Sequence, residues 1–236
     1  MQLFYTPDTI SSEYTLSELE SKHCIKVLRM KEGDQLFLTN GKGFLYRTVI
    51  DVANPKKCQL KVTEVVEKDK GRNYHLHIAI APTKNIERFE WFLEKTTEIG
   101  VDEITPLIVE NSERKVVKAD RMERVVVAAM KQSLKFHKPL INPILSLKEF
   151  LNLNTRADLD ICMAHCHYSP KVQLADFGKH INKICVMIGP EGDFSNNEVA
   201  LAKSQGIASI SLGNSRLRTE TAGVVACHTI SLINSI

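Results

Sequence analysis

Two stretches decide how this chain is read: Ile188-Gly189-Pro190-Glu191-Gly192-Asp193-Phe194-Ser195 and Leu212-Gly213-Asn214-Ser215-Arg216-Leu217-Arg218-Thr219-Glu220-Thr221-Ala222. Each follows a short apolar run, Ile184 to Ile188 and Ile207 to Leu212, and each precedes a helical pattern. In α/β sheets ligands gather where strands hand over to helices at their carboxyl ends. Two such loops close together predict a small-molecule pocket. Ser195 with Glu198 forms a capping box that opens a helix from Asn196 to Gln205, with Gly206 as its stop. The last helix begins near Thr219.

Working outward, strands and helices alternate from residue 74 to the end. Leu76 to Ala81 is a strand ended by Pro82. Ile86, Phe89, Phe92, Leu93, Thr96 and Ile99 keep helical spacing up to Gly100. Ile104 to Val109 and Leu159 to Ala164 are further strands. Met122, Val125, Val126 and Ala129 share one face of a helix that Pro139 is expected to end. The alternation predicts an α/β fold with a mostly parallel sheet covered on both faces. The first 66 residues read differently. Strands Gln35 to Thr39, Phe44 to Val52 and Cys58 to Val66, the turn Asn40-Gly41-Lys42-Gly43 and one helix between Ser17 and Val27 suggest a small barrel. The charged stretch Glu67 to Asn73 is the linker candidate, so the expected domains are 1–70 and 74–236.

The chain has 236 residues, 43% of them hydrophobic and 25% charged, with a net charge of only +3. That balance gives a soluble protein with a real core and no strong bias toward an acidic or basic partner. Glu13, Glu18 and Glu20 stand where a signal peptide needs an apolar core, and no apolar run approaches membrane-spanning length. The six cysteines are too scattered for a disulfide framework. Reduced thiols in a cytoplasm, with no membrane partner, fit best.

The phosphate loop, the dinucleotide fingerprint, the serine-hydrolase elbow and the zinc-protease helix are all missing, which weakens the corresponding enzyme classes. Between Arg114 and Lys138 eight Lys or Arg stand against two acids. Arg121, Arg124, Lys131, Lys135 and Lys138 are spaced as one helical face, suited to a phosphate backbone or, equally, to plain solvation. The cluster Cys162-Met163-Ala164-His165-Cys166-His167 has no second ligand pair at finger-like distance. Strand packing at a pocket edge is its default reading, and no metal site is expected. Glu191 and Glu220, taken singly, read as turn and helix-dipole residues.

The ordered set Ile188-Gly189-Pro190-Glu191-Gly192, Ser195, Glu198, Leu212-Gly213 and Leu217-Arg218-Thr219-Glu220-Thr221-Ala222 resembles the SPOUT-class RNA methyltransferases. The likeness is strongest to the ribosomal RNA small-subunit methyltransferase E family, which methylates ring nitrogen 3 of a uridine. It covers the whole chain. His23, Val27-Leu28-Arg29-Met30 and Gly33-Asp34 are similar to that family's PUA-like RNA-binding barrel. Lys84, Lys95, Glu98-Ile99-Gly100-Val101, Thr105-Pro106-Leu107, Ser112-Glu113-Arg114 and Gln132 follow in matching order. Three departures stand out: Ser215 replaces the arginine usual two places after Gly213, with Arg216 one position later; Lys135 matches a usual arginine; and Gln2-Leu3 precedes Phe4-Tyr5 where the family usually has an arginine.

The resemblance implies a trefoil-knotted C-terminal domain, a homodimer, and S-adenosylmethionine as cofactor. The cofactor would bind near Ile188, Gly189, Pro190, Glu191, Gly192, Leu212, Gly213, Leu217, Thr219, Thr221 and Ala222. Small-subunit ribosomal RNA, free or in the assembled subunit, would be the partner, held by His23, Arg29, Arg114, Arg121, Arg124 and Lys135. Methylating ring nitrogen 3 requires loss of its proton, which nearby cations favour. Arg218 is assigned that role with Arg216 as helper, and Glu98, Glu191 or Glu220 accepts the proton or fixes the arginines. The rival readings are a relative acting on another position, such as a ribose 2′-hydroxyl, and a non-catalytic RNA-binding protein.

Overall fold

A computed structural model of the chain describes residues 1–8, 10–68, 72–154, 158–167 and 169–235. The chain forms two compact units, Met1–Gly71 with Met130–Lys138, and Arg72–Ala129 with Pro139–Ile236.

The first unit contains β1 (Leu3–Tyr5), β2 (Glu13–Thr15), α1 (Glu18–Lys22), β3 (Gln35–Thr39), β4 (Phe44–Val52) and β5 (Gln59–Lys68). Its sheet runs β1-β3-β4-β5-β2, with β1 parallel to β3 and the other pairs antiparallel. Phe4, Leu36, Leu38, Ile50, Cys58 and Leu60 alternate inward to make the core. Ser17 caps α1 by accepting from the Glu20 amide at 3.3 Å. The helix then loosens into a π-helical turn, His23–Val27, that leaves His23 exposed. Strand β5 runs on to Lys68, so Glu67 and Lys68 of the expected linker are strand, and residues 69–71 of that stretch lie outside the described residues.

The segment Met130–Lys138 was expected in the second domain but belongs to the first unit. It pairs like a short strand with the β3–β4 turn: Gly43 N donates to Phe136 O and Lys138 N to Gly41 O, each at 2.9 Å. A bridge joins Lys42 and His137.

In the second unit the order is β6 (His75–Ile80), α2 (Ile86–Ile99), β7 (Glu103–Ile108), α3 (Ala119–Gln132), β8 (Leu140–Ile141), β9 (Leu145–Ser146), α4 (Leu147–Asn154), β10 (Asp160–Ala164), β11 (Val172–Gln173), α5 (Leu174–Phe177), β12 (Lys183–Ile188), α6 (Asn196–Ser204), β13 (Ala208–Ser211) and α7 (Thr219–Ile233). The sheet is parallel throughout, in the order β11-β13-β10-β12-β6-β7-β8, with β9 also on β7. Side chains alternate between two cores. Leu76, Ile78, Ile184, Val186 and Ile188 meet Phe89, Phe92, Met122, Val126, Ala226 and Ile230, whereas Ala79, Cys185 and Met187 meet Phe150, Leu151, Phe194 and Ala202. Both faces of the sheet are therefore covered, as a parallel sheet requires. Helices α2 and α7 touch closely. A Cβ added at Gly223 would lie 2.5 Å from the Phe92 ring, so only glycine fits there.

The basic strip is not one helical face. Helix α3 ends at Gln132, before Lys135 and Lys138. Leu134 takes a left-handed φ of 54°, Leu134 N donates to Lys131 O, and Lys135 N reaches back to Met130 O at 3.0 Å. This is a Schellman-type stop built on leucine instead of the usual glycine. All six cysteines are free, and only Cys166 is exposed. Among the described residues no helix is long and apolar enough to cross a membrane.

Candidate active site

The three adjacent strands β13, β10 and β12 end side by side, so their following loops converge. They enclose a cavity of about 890 Å³. Ile188, Gly189, Pro190, Glu191, Leu212, Gly213, Leu217, Thr219 and Ala222, all expected at a cofactor site, line it together with Arg216 and Arg218. Gly192 does not line it, because Asn111 Nδ2 draws its carbonyl away at 3.0 Å, and Thr221 faces a neighbouring cavity.

The first loop is braced from several directions. A Cβ on Gly189 would sit 3.1 Å from the backbone nitrogen and the ring of Phe194, so the tight return of the chain favours glycine. Asp193 follows with a left-handed φ of 61°. Its carboxylate offsets that strain by accepting from Phe194 N at 2.8 Å and Cys166 N at 2.6 Å. Glu191 accepts from Lys84 N at 3.0 Å. The capping box of Ser195 and Glu198 is present, and Glu198 also accepts from Glu110 N. The second loop is tied to the first through Thr219, whose hydroxyl donates to Gly189 O at 3.0 Å.

The loop after β10 supplies Ala164, His165, Cys166 and His167 to the cavity wall. The side chains do alternate: Cys162 points into one core and Met163 into the other. His165 is 7% exposed, and burial pushes its imidazole below its ordinary value. Its Nε2 shares a proton with Ser209 Oγ at 2.9 Å, while Nδ1 is buried without a partner.

Arg216 and Arg218 are exposed and stand between this cavity and a second one of about 680 Å³. The second cavity also meets Arg88 and Trp91 of α2 and Glu220 of α7. Sequence reading missed Arg88 and Trp91, because only the packing of α2 on α7 brings them to the site. Glu98, expected among the catalytic residues, lies outside both cavities and holds Lys95 Nζ at 3.0 Å.

The expected RNA contacts are scattered. His23 and Arg29 are exposed on the first unit. Arg114 is a brace, donating to Thr83 O at 3.0 Å and Lys84 O at 2.6 Å. Arg121 pairs with Glu90, and Arg124 Nε donates to Asp120 O. Lys131, part of the expected strip, pairs with Glu20 at 2.7 Å. Lys135 lies past the end of α3.

Comparison with known proteins agrees along the whole chain. Residues 70–231 match the family model of the RNA methyltransferase domain, and residues 16–63 match that of the RNA methyltransferase PUA domain. A probable rRNA-methyltransferase from Porphyromonas gingivalis superposes with a TM-score of 0.91 and 41% identity, covering 100% of this chain and 99% of that one. The ribosomal RNA small subunit methyltransferase E of Neisseria gonorrhoeae, solved bound to S-adenosyl methionine, gives 0.84 and 26%, over 96% and 95%. Ribosomal RNA small subunit methyltransferase E of Rickettsia conorii is 27% identical across 95% of this chain and 92% of its own length.

Proposed function

Because the chain belongs to the SPOUT-class RNA methyltransferase family, in its small-subunit methyltransferase E branch, we propose that it methylates ring nitrogen 3 of a uridine in small-subunit ribosomal RNA, using S-adenosylmethionine. The observation that carries this reading is the pair Arg216 and Arg218, placed between the loop-lined cavity and a second cavity open to a substrate.

The residues present suit the cofactor. Ile188, Leu212, Leu217 and Ala222 offer apolar walls for a nucleoside, and the turn at Gly189 brings main chain close. The unpartnered Nδ1 of His165 is a buried polar group whose missing hydrogen bond a ligand would supply. Bound there, S-adenosylmethionine supplies an electrophilic sulfonium methyl. The protein's share is alignment and charge. Arg218, with Arg216, stabilises the negative charge that the uracil ring gains as its N–H proton leaves. His23 and Arg29 of the first unit bind phosphates of the RNA.

Helix α7 supports a homodimer. It is apolar on nearly every side, yet Val224 and Val225 are only half-buried and Leu232 is 48% exposed. A helix apolar all round belongs in an interior, so a second copy covers this face in the cytoplasmic protein. Light scattering at micromolar concentration is expected to give twice the chain mass.

The decisive experiment maps small-subunit ribosomal RNA by mass spectrometry from cells with and without the protein. One uridine is expected to lose a methyl group without it and regain it on complementation. An unchanged uridine profile overturns the reading.

A further inference from the structure

Glu220 is an anomaly in this molecule. It is 6% exposed, yet Oε2 has no hydrogen-bond partner, and Oε1 approaches its nearest cation, Arg88 Nε, only to 4.0 Å. A buried carboxylate so poorly compensated is costly, and such groups persist where a ligand completes them. The other candidate acids are satisfied: Glu98 holds Lys95, and Glu191 accepts from Lys84 N. Glu220 borders the 680 Å³ cavity, which shares Arg216, Leu217 and Arg218 with the cofactor cavity. The same cavity is lined by Trp91 of α2, the chain's only tryptophan, which is 42% exposed.

Resting on the functional reading above, we propose that this second cavity receives the unstacked acceptor pyrimidine, with Trp91 as its stacking platform and Glu220 as the group that takes its ring proton. A base extruded from its stack needs both an aromatic face and a polar group at its Watson–Crick edge. The step balances. The ring N–H proton passes to the Glu220 carboxylate, and the nitrogen electron pair forms the new N–CH3 bond. The electron pair of the breaking C–S bond stays on sulfur, which becomes a neutral thioether. Arg218 holds the uracil oxygen while charge builds, and Glu220 later returns its proton to water.

The test is single-turnover methylation by the full-length protein, using saturating S-adenosylmethionine and an RNA containing the mapped target. Glu220→Gln is expected to slow transfer about 100-fold at neutral pH, within the usual range for removing a general base. Its rate should climb with pH, and a 5-fluorouridine target, whose ring proton is more acidic, should recover much of the loss. Cofactor affinity by calorimetry should stay within about threefold of the parent, a split that a structural role would not give. Trp91→Ala, an exposed position that leaves folding intact, should raise the RNA KM about tenfold with little change in kcat. A Glu220→Gln rate near that of the parent, no rescue by the fluorinated target, or collapse of folding or cofactor binding would each overturn the assignment, the last by making the carboxylate an anchor. Methylation of the parent's RNA somewhere other than a uracil ring would sink the functional reading itself, and mapping the parent's product shows this before any variant is made.

Discussion

The two ends of the parallel sheet treat polar side chains in opposite ways. At the amino end, where β6 and β7 begin, every charge is answered from within. Arg72 pairs with Asp102, whose Oδ2 also accepts from Leu76 N at 2.7 Å. Glu103 takes His75 Nε2 at 3.0 Å and Asn142 Nδ2 at 2.6 Å, and buried His77 meets Thr105 Oγ1 at 2.7 Å. At the carboxyl end, His165 Nδ1 and Glu220 Oε2 are left open, and Arg216 and Arg218 face solvent. The closed network stands on β6 and β7, whereas the open groups stand on the loops after β10 and β13 and on α7. A closed network minimises the cost of burying polar groups. An open one leaves that cost to be met by a ligand. The amino end closes its polar groups on one another, and the carboxyl end carries the proposed binding and chemistry.

The largest expected effect breaks the comparison at the carboxyl end. Arg218→Ala should slow single-turnover methyl transfer about 100- to 1000-fold, as loss of one charge-stabilising donor does. The thermal midpoint should barely move, since the side chain is exposed. A large loss of stability with intact turnover would reverse the roles assigned to the two ends.

At the amino end the pattern should invert. Glu103→Ala should cost about 1–2 kcal/mol of unfolding free energy, because it removes the bonds from His75 and Asn142, while the methylation rate of the folded protein stays unchanged. Acid should act through the same network. Burial pushes the His77 imidazole down to about 4 from an ordinary value of 6.5. Its contribution to stability is whole above 6.5 and is lost as the pH falls toward 4. Glu103, held down to about 2 chiefly by its bond from His75, contributes above 4.5 and loses that share between there and about 2. His75, raised by the same bond, works the other way, and its share is complete below 6.5 and lost as the pH rises through its raised value. Urea titrations should therefore show about 1–3 kcal/mol lost between pH 7 and 4, and His77→Gln should flatten that slope.

The smallest effect sharpens the comparison without touching either end. Replacing Arg121 and Arg124 together should lower the salt dependence of RNA binding by about one unit of slope for each phosphate no longer neutralised, with kcat unchanged. An unaltered slope would make that side of α3 a solvated face, consistent with the engagement of Arg121 by Glu90.

Much of this was legible in the sequence wherever the cause is local. Ser195 and Glu198 signal their capping box within four residues, and the alternation of Ile184, Val186 and Ile188 against Cys185 and Met187 states a strand buried on both faces. The end of α3 was not legible, because its stop rests on Leu134 in a conformation that glycine usually marks. Strands β8, β9 and β11 span two residues each, too short for any period to register. The second cavity was hidden for another reason. Arg88 and Trp91 meet Glu220 only after α2 and α7 pack, and no spacing along the chain records that meeting.

The strand order also bears on how the protein is made. Strand β6 emerges early, but one of its two neighbours, β12, is among the last strands synthesised, and the bond from Thr219 to Gly189 awaits the final helix. The pairing of β6 with β12 thus carries the loop-closure cost of a long intervening chain. A polypeptide still attached to the ribosome that makes it has its stabilising amino-end network within reach well before its binding loops exist. The two loops of the larger cavity are joined only once that helix has emerged, which places their closure after the amino-end network.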